Sequence, residues 1–118
     1  MPNYQLHVTR CDNRLVVRIN QQIVYDQYYD SDPTLSDTTD LNAFLQPYPA
    51  QNLIEIEGYN GPTDQIDQFN PWHFEYSITK DSQPFIDDKT SSGGEQGVSD
   101  ALVFSRRQTL VLEPPQKD

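Results

Sequence analysis

The chain has 118 residues, with 18 acidic and 8 basic side chains that give a formal net charge of −10. This length predicts one domain over residues 1–118, in which residues 113–118 form a short C-terminal tail. The charge argues against nucleic acid and anionic membranes as partners, because both are bound by basic surfaces.

The single cysteine, Cys11, excludes an intrachain disulfide and a cysteine-rich zinc site. Its place beside a strand pattern favours a small buried hydrophobe over a reactive thiol. The first residues lack the basic and apolar regions of a signal peptide, and no apolar run approaches the ~18 residues of a membrane span. We therefore expect a soluble protein, cytoplasmic by default, and secretion stays open because a leader could have been removed.

Alternation of apolar and polar residues, which is typical of strands, dominates the first part of the chain. In chain order it predicts a strand at Tyr4–Val8, a hairpin turn at Asp12-Asn13, a strand at residues 14–19, a turn at 20–22 and a strand at 23–25. Residues 26–40 are predicted to form a long polar loop that carries five aspartates. A short strand or one helical turn, capped by Thr39 or Asp40, follows it.

The second part of the chain shows the same period of two. It predicts strands at residues 52–57, 72–79 and 84–86, with a turn at Asp81-Ser82 between the last two. It also predicts long loops at 63–71 and 87–100, and one interrupted strand or two short ones at 101–112. In the second of these strands Trp72, Phe74, Tyr76 and Ile78 are predicted to face inward. About eight short strands with three long loops predict an all-β fold, a single antiparallel β-sandwich.

The order of these features resembles the galactose-binding-domain-like jelly roll. The resemblance is carried by the runs RLVVRINQQIVYDQYY, TTDLNAFLQPYPAQNLIEIEGYNG and PWHFEYSI, although Gln21 stands where the family has glycine. It implies a jelly-roll sandwich that binds carbohydrate. The run IEGYNGPTDQIDQFNPWHFEYSITKD is also similar to calcium-dependent galactose-binding bacterial lectins, which implies that the loop at residues 60–70 holds ligand.

The residues around that loop supply the groups that a sugar site needs. Amides and carboxylates bond to hydroxyls, and aromatic rings cover the apolar face of the sugar. The candidate ligand-binding residues are Tyr59, Asn60, Asp64, Asp67, Asn70, Trp72 and, from a second aromatic group near residue 28, Tyr29. For Trp72 and Tyr29 the alternative is ordinary packing.

The polar loop at residues 26–40 is the candidate metal site. Calcium prefers six to eight hard oxygen ligands, and an irregular aspartate-rich loop can provide them. The candidate calcium ligands are Asp30, Asp32, Asp37 and Asp40. Their spacing is not that of an EF-hand, and the alternative is turn and cap chemistry on a solvated loop.

No nucleophile elbow or phosphate loop is present, and we predict no catalytic residues. The leading hypothesis is a non-catalytic, lectin-like carbohydrate-binding module whose loops hold the ligand at one end of the sandwich, with calcium as a possible aid. The alternative is an acidic protein-interaction or assembly subunit, for instance a homo-oligomer. The basic side chains Arg14, Arg18, Arg106 and Arg107 are predicted to pair with Glu55 and Glu57 across strands.

Overall fold

The computed structural model describes residues 3–30, 34–60, 72–91 and 101–114, which form an antiparallel all-β fold with one short 3-10 helix. The seven strands are β1 (Tyr4–Ile19), β2 (Gln22–Asp30), β3 (Asp37–Asp40), β4 (Gln51–Asn60), β5 (His73–Lys80), β6 (Gln83–Ser91) and β7 (Ala101–Val111). They belong to one hydrogen-bonded sheet, which confirms the antiparallel all-β prediction. The described residues hold seven strands where the sequence predicts about eight.

Strand β1 runs through the whole sheet. Its first part, residues 4–12, lies between β3 and β5, and its second part, residues 12–19, lies between β2 and β4. Strand β6 extends the sheet beyond β5, and β7 extends it beyond β4. We call β3, the first part of β1, β5 and β6 the N-terminal half-sheet, and β2, the second part of β1, β4 and β7 the C-terminal half-sheet.

The sheet is strongly curled, as the segment between β3 and β4 shows. The Leu41 amide donates to the Tyr4 carbonyl at one end of β1, at 2.9 Å. Five residues later, the Gln46 amide donates to Asn52 Oδ1 at 2.7 Å, and Asn20 at the other end of β1 donates to the same oxygen at 2.9 Å. Five residues span at most about 18 Å, whereas a straight strand of this length would span about 50 Å. The ends of β1 are therefore drawn together.

One face of the curled sheet forms the core. A β-bulge between Val8 and Arg10 shifts the inward phase of β1 from even to odd positions. The inward residues of β1 are Tyr4, Leu6, Val8, Cys11, Leu15, Val17 and Ile19. They share one hydrophobic cluster with residues of other strands, namely Tyr25, Ile54, Ile56, Phe74, Ile78 and Ile86. Both half-sheets contribute to this cluster, so the fold has a single core.

The turn predicted at Asp12-Asn13 is wrong. Strand β1 continues through both residues, and Asn13 is buried with its Nδ2 donating to the Tyr29 carbonyl at 3.1 Å. The positive φ angles that a tight turn needs occur instead at Asn20-Gln21 and Asp81-Ser82, where the sequence also predicts turns.

Two predicted loops are shorter than expected because strands extend into them. Strand β2 reaches Asp30, β3 occupies four further residues of the predicted 26–40 loop, and β6 reaches Ser91. The helical turn is confirmed as a 3-10 helix at Asn42–Phe44, but its N-cap is Leu41 without a side-chain cap, so a cap by Thr39 or Asp40 is wrong. Residues 101–111 form one strand.

The inward face predicted for β5 is confirmed. Phe74, Tyr76 and Ile78 are buried, and the partly buried Trp72 packs with its ring centroid 5.7 Å from that of Phe74. Cys11 is buried as expected, and burial is the main cause that raises its pKa to about 12. Within the described part of the chain, no helix is long and apolar enough to cross a membrane.

Candidate functional site

A groove opens where β2 and β3 follow each other along the same edge of β1. Strand β2 pairs with residues 12–19 of β1, and β3 pairs with residues 5–8. The groove has a volume of about 480 Å³ and is lined by residues 23–27, Tyr29 and residues 37–39. Both strands pair only with β1 within the described sheet, so the groove lies at a sheet edge.

The Asp37 carboxylate is the central polar group of this groove. Tyr25 Oη donates to Asp37 Oδ2 at 2.7 Å, and Tyr29 Oη donates to the same oxygen at 2.6 Å. The other oxygen, Oδ1, accepts no hydrogen bond from the described residues. The Asp37 side chain is half-buried and lines the groove.

The two tyrosines reach Asp37 because of the period of two. Tyr25 and Tyr29 are four residues apart in β2, so both project to the inward side of the sheet. Asp37 pairs with the buried Val8, which places it on the same side. The carboxylate therefore lies where the inward faces of two successive strands meet.

Burial and Asp37 fix the protonation of both phenols. Burial is the main cause that raises the pKa of Tyr25, and the hydrogen bond to Asp37 adds to it. For Tyr29 the order is reversed, since the hydrogen bond to Asp37 is the main cause that raises its pKa. Both phenols stay protonated at neutral pH, so both donate and both rings keep a fixed orientation.

None of the other described residues that line the groove is basic. Gln27, Thr38 and Thr39 offer amide and hydroxyl groups, and Val24 offers an apolar surface. Thr38 Oγ1 lies 3.2 Å from His7 Nδ1 on the outer side of the sheet. This set can bind a molecule rich in hydroxyl groups through the Asp37 carboxylate and several neutral partners.

The structure brings Tyr29 and Asp37 together, although the sequence assigns one to a sugar site and the other to a metal site. It separates Asp37 from Asp40, because Asp40 pairs with Gln5 on the opposite face of β3. These two carboxylates do not converge on one ion, and no group of three possible metal ligands occurs among the described residues. Asp32 and the side chain of Asp30 lie outside the described residues.

Tyr59 and Trp72 have different surroundings. The Arg14 Cζ atom lies 5.5 Å from the centre of the Tyr59 ring, and Tyr59 Oη donates to Glu57 Oε1 at 3.2 Å on the outer face of β4. Trp72 packs against the core. The other predicted ligand residues lie outside the described part of the structure: Asp64, Asp67, Asn70 and the side chain of Asn60.

Sequence reasoning selects Tyr29 but misses the role of Tyr25 at this site. The signal that could have found it is the spacing of Tyr25 and Tyr29, which places both on one face of a strand. Their shared acceptor, Asp37, could not be found in this way, because it belongs to another strand.

The predicted arginine pairs are confirmed in part. Arg18 pairs with Glu57, and the Nε atom of Arg107 lies 3.7 Å from Glu55 Oε2. Arg14 instead forms a two-pronged pair with Asp26, with both N–O distances at 2.8 Å. Arg106 pairs with Asp88 at 2.5 Å.

Comparison of the chain with protein-family models, with curated proteins and with solved structures finds no match. The groove at Asp37 is therefore the main basis for a functional argument.

Proposed function

We propose that this protein is a non-catalytic carbohydrate-binding module whose ligand binds in the groove between β2 and β3. The observation that carries the proposal is the Asp37 carboxylate, which lines the groove and is held by two phenols through one oxygen, while its other oxygen accepts no hydrogen bond from the described residues. A carboxylate oxygen with free lone pairs can accept hydrogen bonds from sugar hydroxyls. Because the protein fixes the carboxylate beforehand, little side-chain entropy is lost on binding.

The ligand of this groove is a neutral or cationic sugar. Asp37 is charged, and none of the described lining residues is basic. Asp26 also lines the groove, with its charge balanced by Arg14. A uronic acid or a sulfated sugar would place a second negative charge beside Asp37, in a protein that already carries a net charge of −10. Neutral hexoses and amino sugars meet no such repulsion.

The proposal includes the jelly-roll sandwich as the finer description of the fold. It is supported by the two half-sheets that share one core and by the sequence resemblance. Asp37 and Asp40 lie on opposite faces of β3, so they do not form one calcium site together. Whether calcium assists sugar binding is therefore tested by experiment and is not part of the proposed site.

A glycan array followed by calorimetry tests the proposal, with calcium in one series and EDTA in the other. The variant Asp37→Asn keeps the shape of the side chain but removes its charge, and we expect it to weaken sugar binding about tenfold or more. The matched control is Asp40→Asn, which makes the same change in the same strand on the opposite face. Its affinity should equal that of the wild type.

The possible outcomes separate the parts of the proposal. The absence of binding to any sugar in either series would refute it and favour the acidic interaction or assembly subunit. Equal losses in the two asparagine variants would refute the groove as the site. Binding that disappears only in EDTA would support calcium assistance.

A further inference from the structure

The outer face of the C-terminal half-sheet concentrates the exposed apolar side chains of the described structure. The strand order across this face is β2, β1, β4, β7. Five large hydrophobic side chains are roughly half exposed, and four of them lie in the two outermost strands: Ile23 (50%), Tyr28 (51%), Leu102 (52%) and Val111 (44%). Exposed apolar groups collected on one face are typical of an interaction surface.

The centre of the same face is electrically balanced. Around residues 14–18 of β1, the three arginines Arg14, Arg18 and Arg107 form ion pairs with the three acids Asp26, Glu57 and Glu55, respectively. This central part is therefore neutral in a chain whose net charge is −10, and Asp12 adds a carboxylate at its end. Two copies of the chain that approach through this face avoid the repulsion that the rest of the acidic surface imposes.

The register places these residues in rows that run across the four strands. One row contains Tyr28, Arg14, Tyr59 and Leu102, in that order. A second row contains Ile23, Arg18, Glu55 and Arg107. In the second row the two central positions carry opposite charges, and in the first row the two end positions are both apolar.

We propose that this face binds a second copy of the chain, related by a two-fold axis that runs parallel to the strands between β1 and β4. Such an axis stacks β1 on the partner's β4 and β2 on the partner's β7, as in aligned packing of two sheets. Tyr28 then meets Leu102 of the partner subunit, and Arg18 meets Glu55 of the partner subunit. Arg14 meets Tyr59 of the partner subunit, where a guanidinium can stack on the ring.

The arrangement is self-complementary. Each contact occurs twice, because the axis exchanges the two members of every pair. In the row between the two described above, Asp26 meets Ser105 of the partner subunit, and Val16, which is only 1% exposed, presents no charge opposite Glu57 of the partner subunit. No like charges face each other in any of the three rows.

Sedimentation and light scattering on the full chain, over a broad range of protein concentration, test this proposal. We expect a dimer of twice the 13.6 kDa chain mass. The variant Leu102→Asp should raise the dissociation constant about tenfold or more, because it places a carboxylate against an apolar partner. The control Tyr48→Asp changes a side chain that is 48% exposed but lies in the segment before β4, and its dimer should persist.

Charge exchange makes the test specific to the proposed axis. Arg18→Glu and Glu55→Arg should each weaken the dimer, while the double variant restores opposite charges across the axis and should recover it. Thermal unfolding of each variant shows that the change lies in association and not in folding. A monomeric wild type at the highest soluble concentration, or a double variant weaker than both single ones, would overturn the proposal. Sugar binding is measured separately on the same variants, because Ile23 and Asp26 belong both to this face and to the lining of the groove.

Discussion

The contact between Gly58 and Phe74 tests how the two half-sheets pack. A Cβ atom built on Gly58 would lie 2.7 Å from Phe74 Cε2 and 2.9 Å from Phe74 Cζ. Phe74 is completely buried, so its ring has no free space into which it can move. The variant Gly58→Ala therefore inserts one methyl group between β4 and β5 at a point of full packing.

Two opposite effects decide the size of the change. Insertion of a methyl group into a packed core destabilises the fold by about 1–3 kcal/mol. Replacing glycine by alanine restricts the unfolded chain, which stabilises the fold by about 0.4–1 kcal/mol. We expect a net loss of about 1–2 kcal/mol, which is a fall of roughly 4–8 °C in Tm for a domain of this size.

Chemical and thermal unfolding, followed by circular dichroism, measure this loss for Gly58→Ala, Phe74→Leu and the double variant. Phe74→Leu alone leaves a cavity, but it also makes room for the new methyl group. The double variant should therefore be more stable than the sum of the single losses predicts, by about 0.5 kcal/mol or more. An alanine variant as stable as the wild type, or strictly additive losses, would refute the packing argument.

Three further predictions concern buried polar groups. The pKa of Tyr25 is raised in the folded protein, so its contribution to stability is complete below the unfolded pKa of about 10 and is lost as the pH rises beyond it. In urea unfolding, Tyr25→Phe should therefore flatten the fall of stability above pH ~10. An unchanged slope would contradict this. Cys11, with a pKa of about 12, should react with a disulfide reagent near pH 8 about a thousandfold more slowly than in the urea-unfolded chain, and equal rates would refute its burial. Asn52→Ala should lower the free energy of unfolding by about 2–4 kcal/mol in urea, because the fully buried Asn52 side chain forms hydrogen bonds with Gln46, Asn20 and Leu110. The control Gln51→Ala changes the exposed neighbour and should leave the free energy of unfolding almost unchanged. Similar losses in both variants would contradict this.

Local signals in the sequence predicted the strands and tight turns best. The turns at Asn20-Gln21 and Asp81-Ser82 follow from residues that tolerate positive φ, and the inward face of β5 follows from strict alternation. Asp12-Asn13 carries the same turn chemistry but lies within β1. The reason is not local, since Asn13 is buried and donates to the backbone of β2. Tertiary pairing there outweighs turn preference.

The candidate site was predictable only in pieces. Tyr29 and Asp37 were both selected from the sequence, the first for its aromatic ring and the second for its carboxylate. Their 2.6 Å contact depends on β2 and β3 lying end to end along β1, which no spacing between the two residues reveals. The pairing of β3 with the start of β1 also explains why this aspartate-rich segment is partly a strand. Its polar composition gave no sign of that distant partner.

The path of β1 through both half-sheets has a consequence for how the molecule opens. Neither half-sheet can lose its pairing without disturbing a strand that the other half-sheet also uses. We therefore expect the amides in the middle of β1 to exchange their hydrogens only through global unfolding, and the two half-sheets to lose protection together. Two half-sheets that are joined in this way behave as one cooperative unit, so a ligand or a second subunit bound to one of them would stabilise both.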